Sequence, residues 1–267
     1  MRKFFRFLLG LAACGVLAFA TLNLVNYLRE SNQSTNLNES LIDVAVAIKD
    51  PEPQSSDVDF PAQQESEADT EQLPMETAPI EVDFEVLWKT NEDVVGWIYC
   101  EDTPINFPVV QAEDNDYYLR RLIDGTWNSS GTLFADYRNA ADFSDSNTII
   151  YGHNMHNKGM FGTLSNYKEQ SYYYEHPIMW LLTPDGNYKV ELIAGYVTSP
   201  TSEIYSFGQT EEEVFALAEQ SIEKSTFTSD FQVLQGDRFV TLSTCSYEYD
   251  NARYVLIGIL KECRSQE

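Results

Sequence analysis

Cys245 and Arg253 bracket a polar stretch inside FVTLSTCSYEYDNARYVLIGIL (Phe239–Leu260). The two apolar runs alternate as half-buried strands do, and the turn-prone Ser246–Asn251 lets the chain reverse between them, which predicts an antiparallel hairpin. Thiol and guanidinium then share one end of one sheet. A fixed cation favours the thiolate, the nucleophilic form of cysteine, and can later face an oxyanion. A cysteine in an apolar strand is more often a small core hydrophobe, so a third group has to decide. NTIIYGHNMHNKGMFG (Asn147–Gly162) supplies one. Thr148–Tyr151 reads as a short strand, Gly152 lets the chain turn, and His153 projects from the strand end as the acid/base group that thiol chemistry needs.

The elements that must position these groups are mostly strands. Candidates are Val95–Tyr99, Phe107–Gln111, Thr132–Asp136, Thr148–Tyr151, Met179–Thr183, Tyr188–Val197, Arg238–Thr244 and Arg253–Leu260, with a hairpin signal at Asp185-Gly186-Asn187. Two helices are expected. Asp83 is positioned to cap one over Asp83–Thr90, and Thr210-x-x-Glu213 forms a capping box opening Thr210–Lys224, which is striped by Val214, Leu217, Ala218 and Ile222. Many short strands with few helices argue for a mainly β fold, a closed or nearly closed barrel.

The sequence resembles the sortases, the cysteine transpeptidases of Gram-positive cell surfaces, in YGHNM around His153, TLSTC around Cys245 and the arginine eight residues later. It resembles their class B in NEDVVGWIYCEDTPINFPVVQ (Asn91–Gln111), DNDYYL (Asp114–Leu119), GTLFADYRN (Gly131–Asn139) and MFGTLSNY (Met160–Tyr167). Together these motifs run from roughly Phe84 to Leu260. The resemblance implies a closed barrel of about eight strands with N-terminal helices and one helix before the cysteine strand. It implies His153, Cys245 and Arg253 as catalytic residues, and Asn115 and Leu119 as contacts for a sorting peptide. Ser243 and Tyr151 stand two residues before Cys245 and His153, on the same strand faces, and are candidates either for substrate contact or for packing the barrel. The implied reaction cleaves a C-terminal sorting motif of secreted proteins through a thioacyl enzyme and joins them to an amine of the peptidoglycan. A hydrolytic cysteine peptidase and a non-catalytic surface scaffold on the same barrel are the rival readings.

No metal or other cofactor is expected. His153 and His156 lie three apart in a loop, no CxxC or HExxH accompanies them, and zinc would leave the arginine unexplained. His156 reads as a surface loop residue and His176 as a pre-proline turn residue; Cys14, Cys100 and Cys263 show no disulfide spacing, and Cys100 reads as structural. The 267 residues carry a net charge of −25, with 17 Lys and Arg against 42 Asp and Glu, which excludes a nucleic-acid partner and suits an extracellular protein.

Residues 1–29 read as a membrane anchor: Arg2, Lys3 and Arg6 precede the apolar Phe7–Leu28, with the N-terminus cytoplasmic and the bulk outside the cell membrane. Ala18-Phe19-Ala20 as a signal-peptidase site and Leu11-Ala12-Ala13-Cys14 as a lipoprotein box remain competing readings. Residues 30–79, rich in Asp, Glu, Ser, Gln and Pro, read as a flexible acidic linker, with Leu41–Ile48 as a transient helix. Residues 80–267 are then the catalytic domain, expected to fold and act without the rest.

Overall fold

The alternating runs pair as a barrel. In the computed structural model, which describes residues 2–49 and 77–263, ten strands occur. They are β1 (Val46–Ile48), β2 (Ile80–Val82), β3 (Val94–Tyr99), β4 (Asn106–Val110), β5 (Leu133–Ala135), β6 (Asn147–Tyr151), β7 (Ile178–Leu182), β8 (Asn187–Thr198), β9 (Phe239–Cys245) and β10 (Arg253–Glu262). The last eight close in the order β10-β8-β7-β3-β4-β5-β6-β9. The β4–β5 and β6–β9 pairs are parallel and the others antiparallel. This is the expected eight-stranded fold.

Strand alternation sorts the side chains between two faces. On β10, Tyr254 and Leu256 join the inner core with Ile98, Leu133, Ile150, Leu192, Val240 and Leu242, whereas Val255, Ile257 and Ile259 face outward. Among the described residues the α-helices are α1 (Arg2–Ala45), α2 (Phe84–Trp88), α3 (Gln170–Glu175) and α4 (Glu211–Lys224). Helix α4 covers the outward residues with Val214, Leu217 and Ala218, and its capping box forms as read from the sequence. Asp83 caps α2 by accepting a hydrogen bond from the Val86 N–H.

The N-terminal segment differs from its expectation. Residues 30–48 are not a tether: α1 continues through them to Ala45, and β1 pairs with β2. Leu41 and Ala45 are buried with Leu87, Val94, Trp97 and Leu182 on the outside of the barrel. Asn38 donates to the Asn106 carbonyl at 3.1 Å, and Asn128 donates to the Glu30 carbonyl at 2.9 Å. Acidic composition masked an apolar stripe at Leu37, Leu41, Ile42 and Ala45, which repays the ordering of this stretch by burial. Within the expected linker, residues 50–76 lie outside the described residues. Among the described residues no helix is long and apolar enough to cross a membrane, and the single-pass anchor expected at residues 1–29 is not supported by them. That expectation rests in part on Phe7, Leu8, Leu9, Leu11 and Ala12, whose side chains lie outside the described residues.

Candidate active site

Register brings the chemistry together. Cys245 is the last residue of β9 and lies directly opposite Arg253, the first of β10. Parallel pairing of β6 with β9 sets Tyr151 beside Ser243, so two residues further on His153 reaches the same end of the barrel as Cys245. The loops are tied there. Gly152 N–H donates to the Ser243 carbonyl at 3.1 Å, Thr244 Oγ1 donates to the Gly152 carbonyl at 2.8 Å, and Asn154 Nδ2 donates to the Cys245 carbonyl at 2.8 Å. Gly152 is needed for space: a Cβ there would stand 2.3 Å from Leu133 Cδ2 and 2.6 Å from Phe161 Cδ2.

A cleft of about 410 Å³ opens at this end. Its walls include all seven residues singled out in the sequence, namely Asn115, Leu119, Tyr151, His153, Ser243, Cys245 and Arg253, and add Phe134, Arg138, Pro200 and Tyr205. His153 Nε2 lies 2.8 Å from the Leu119 carbonyl. A carbonyl only accepts, so Nε2 carries the proton and the neutral ring keeps its lone pair on Nδ1. Burial lowers the pKa of His153 and outweighs the Leu119 hydrogen bond, with the Arg120 charge acting in the same direction as burial. The imidazole is therefore neutral at pH 7. Arg253 Nη1 donates to the Asn251 and Ala252 carbonyls, each at 3.1 Å, which ties the guanidinium to the turn that leads into β10.

The remaining wall is a hydrogen-bonded network. Asp136 accepts from Arg138 Nε at 2.8 Å, Arg138 Nη2 at 2.7 Å, Asn115 Nδ2 at 2.9 Å and the Tyr151 hydroxyl at 3.0 Å. Burial works to raise the Asp136 carboxyl, and the bonds from Arg138, Asn115 and Tyr151 override it, holding the group below the usual carboxylate range. Tyr205 stacks near Tyr151, with ring centroids 6.3 Å apart, and its hydroxyl lies 2.8 Å from Ser243 Oγ. Burial pushes the Tyr205 phenol up to about 12, so it remains a neutral donor.

No protein-family model matches the chain. Sortase B of Listeria monocytogenes is 39% identical over 180 residues, covering 65% of this chain and 72% of that protein. The chain belongs to the class B sortases. Sortase B of Staphylococcus aureus is 32% identical over 179 residues, covering 67% of this chain and 73% of that protein. The solved sortase B of Bacillus anthracis in complex with AAEK1 superposes with a TM-score of 0.69 at 30% identity, covering 88% of this chain and 99% of that one.

Sequence reading of this sortase passed over Asp136, Arg138 and Tyr205. The first two stand inside the quoted GTLFADYRN, where an aspartate two residues before an arginine was available as a signal of a carboxylate–guanidinium pair. Tyr205 sits in a short 3₁₀ turn (Glu203–Tyr205) between β8 and α4, and nothing in its local sequence places it over the cleft. Of the other cysteines, Cys100 is buried near the Tyr167 hydroxyl, and burial pushes its thiol up.

Proposed function

We propose that this chain is a cysteine transpeptidase that cleaves a C-terminal sorting motif in secreted proteins and joins them to an amine of the cell-wall peptidoglycan. The observation that supports it most is the register that sets Cys245 opposite Arg253, with His153 on the wall of the same cleft. Cys245 Sγ attacks the motif carbonyl while its proton passes to Nδ1 of the neutral His153, and Arg253 faces the oxyanion of the tetrahedral intermediate. Collapse breaks the peptide bond; the leaving amine takes the proton from His153, and a thioester remains on Cys245. An incoming amine then attacks the thioester, gives its proton to His153, and expels the thiolate, which is reprotonated. No metal or organic cofactor is part of this scheme.

Asn115, Leu119, Tyr151 and Ser243 line the path of the peptide in this reading. Ser243 also holds the neighbouring wall there, its buried hydroxyl hydrogen-bonded to that of Tyr205. Sortase B structures similar to this one have been solved as a substrate complex and with triglycine, which supports a peptide donor and an amine acceptor for this chain too. The catalytic unit spans residues 80–267, with residues 30–48 laid against it. It works outside the membrane, and attachment through residues 1–29 rests on composition alone.

Mass spectrometry of products from a sorting-motif peptide panel, with and without triglycine, tests the proposal. Peptide–triglycine conjugates are expected. Free acid alone at saturating triglycine would establish the hydrolytic peptidase instead, and no turnover of any peptide would favour the scaffold.

A further inference from the structure

Asp136 is the only acidic side chain buried among the described residues. It follows β5 directly, and its backbone is fixed on both sides. Its N–H donates to the Ile149 carbonyl of β6 at 2.9 Å, and its carbonyl accepts from Gln111 Nε2 at 2.8 Å. Its carboxylate accepts five hydrogen bonds. Oδ1 takes Arg138 N–H at 3.1 Å and Nε at 2.8 Å; Oδ2 takes Arg138 Nη2, Asn115 Nδ2 and the Tyr151 hydroxyl. A carboxylate offers about four lone-pair sites, so this one is saturated and has none left for a ligand.

The three side chains it holds come from three separate segments, the 111–117 loop, the turn after β5 and strand β6, and all three line the cleft. Arg138 is further confined by the Phe207 ring, 3.9 Å below its guanidinium carbon, yet its side chain is 42% exposed. Nε and Nη2 are engaged by Asp136, and the residue lines the cleft. Asn115 is likewise oriented, its Oδ1 accepting the Tyr137 N–H at 3.1 Å.

We propose that Asp136 is a positioning residue for peptide recognition, its buried carboxylate locking Asn115, Tyr151 and Arg138 into one preformed wall, and that Arg138 is the specificity-determining donor this wall presents. The peptide group it selects carries an oxygen acceptor, a carboxamide, carboxylate or backbone carbonyl, on the side of the motif away from the thiol. The inference rests on reading the cleft as the sorting-peptide site. Asp136 does not touch the reacting atoms, so its loss should weaken peptide binding while leaving the nucleophile intact. Preorganisation is the physical reason, because a wall that must be ordered at each binding event spends binding energy on that ordering.

The test uses the full chain and a peptide that the wild-type enzyme turns over. In Asp136→Asn the new amide NH₂ takes the place of an accepting oxygen and must face at least one of the donors that oxygen held, so the wall opens without loss of volume. KM is expected to rise about tenfold or more, with kcat and the rate of Cys245 alkylation by iodoacetamide within about twofold of wild type. Tyr151→Phe removes one donor, and the double variant should show non-additive KM effects, because each residue acts through the other. Additive KM effects, an unchanged KM, or a fall in kcat and alkylation in step with the melting temperature would overturn the positioning role. Arg138→Lys keeps the charge but not the fork, and an unchanged preference among peptides differing at one polar side chain would overturn its selective role. If the wild-type enzyme turns over no peptide, the reading of the cleft fails first, a result distinct from all of these.

Discussion

Leu41→Ala tests whether the N-terminal helix is part of the folded enzyme. Leu41 is 4% exposed within the cluster that includes Leu87, Val94 and Trp97, and it borders a small gap of about 20 Å³ between α1 and the barrel. Removing three carbons forfeits about 2.4 kcal/mol of transfer free energy at ~0.8 kcal/mol per methylene. Leucine truncations in cores cost about 2–5 kcal/mol in all; a helix on the outer face can settle inward, which keeps the cavity contribution small and places this one near 3 kcal/mol. For a chain of this size that is a drop of about 6–12 °C in melting temperature. The control is Val44→Ala on the same helix, where Val44 is 62% exposed and the change should stay within about 0.5 kcal/mol. Calorimetry or circular dichroism reads both, and peptide turnover at 25 °C should be unaltered in each, since neither residue lines the cleft. A Leu41→Ala protein that melts with wild type would show that α1 is not docked and that residues 30–48 are the tether their composition suggests.

Further outcomes follow from the site. In an NMR titration of the three histidines, His153 should titrate below the ordinary histidine value because burial opposes its charge, and Arg120→Ala should raise it; titration at or above that value would contradict the buried neutral ring. The Asp136 carboxyl is depressed in the folded state, so its contribution to stability is present above the ordinary carboxylate value of about 3.9 and is lost as pH falls through the folded value. Acid unfolding of wild type and Asp136→Asn should therefore converge as the pH falls through the folded value, and a constant gap between them would refute this sign. Lys168 bonds Glu248, which also takes the Ser246 hydroxyl, latching the loop after Cys245 to the 3₁₀ turn Leu164–Lys168. Because the pair is partly exposed, Lys168→Ala should cost no more than about 1 kcal/mol, yet speed hydrogen exchange in residues 246–252; unaltered exchange would show that the latch holds nothing.

The barrel was legible because each strand carries its own alternation and turn chemistry. Phe239–Leu260 contains both strands and the reversal, and its register alone sets Cys245 opposite Arg253. The Thr210–Glu213 box marks where α4 begins for the same local reason. What the sequence hid is non-local. The closing β6–β9 pair is parallel between segments far apart in the chain, and its register was not readable from either strand. The docked helix was obscured because Glu30, Glu39 and Asp43 share it with Leu37, Leu41 and Ala45, so mean composition concealed a narrow stripe. Asp136 was missed because a buried carboxylate is recognisable only from its partners, and Asn115 and Tyr151 reach it from 21 and 15 residues away.

Intact-mass spectrometry of the enzyme caught during turnover tests the central claim most directly. With a sorting-motif peptide and no added amine, the wild-type chain should gain the mass of the N-terminal peptide fragment, located on Cys245 and released by hydroxylamine or triglycine. Asp136→Asn should show the same adduct at higher peptide concentration, and Cys245→Ala should show none. Peptide cleavage that proceeds in Cys245→Ala, or in wild type without an adduct on Cys245, would contradict the account.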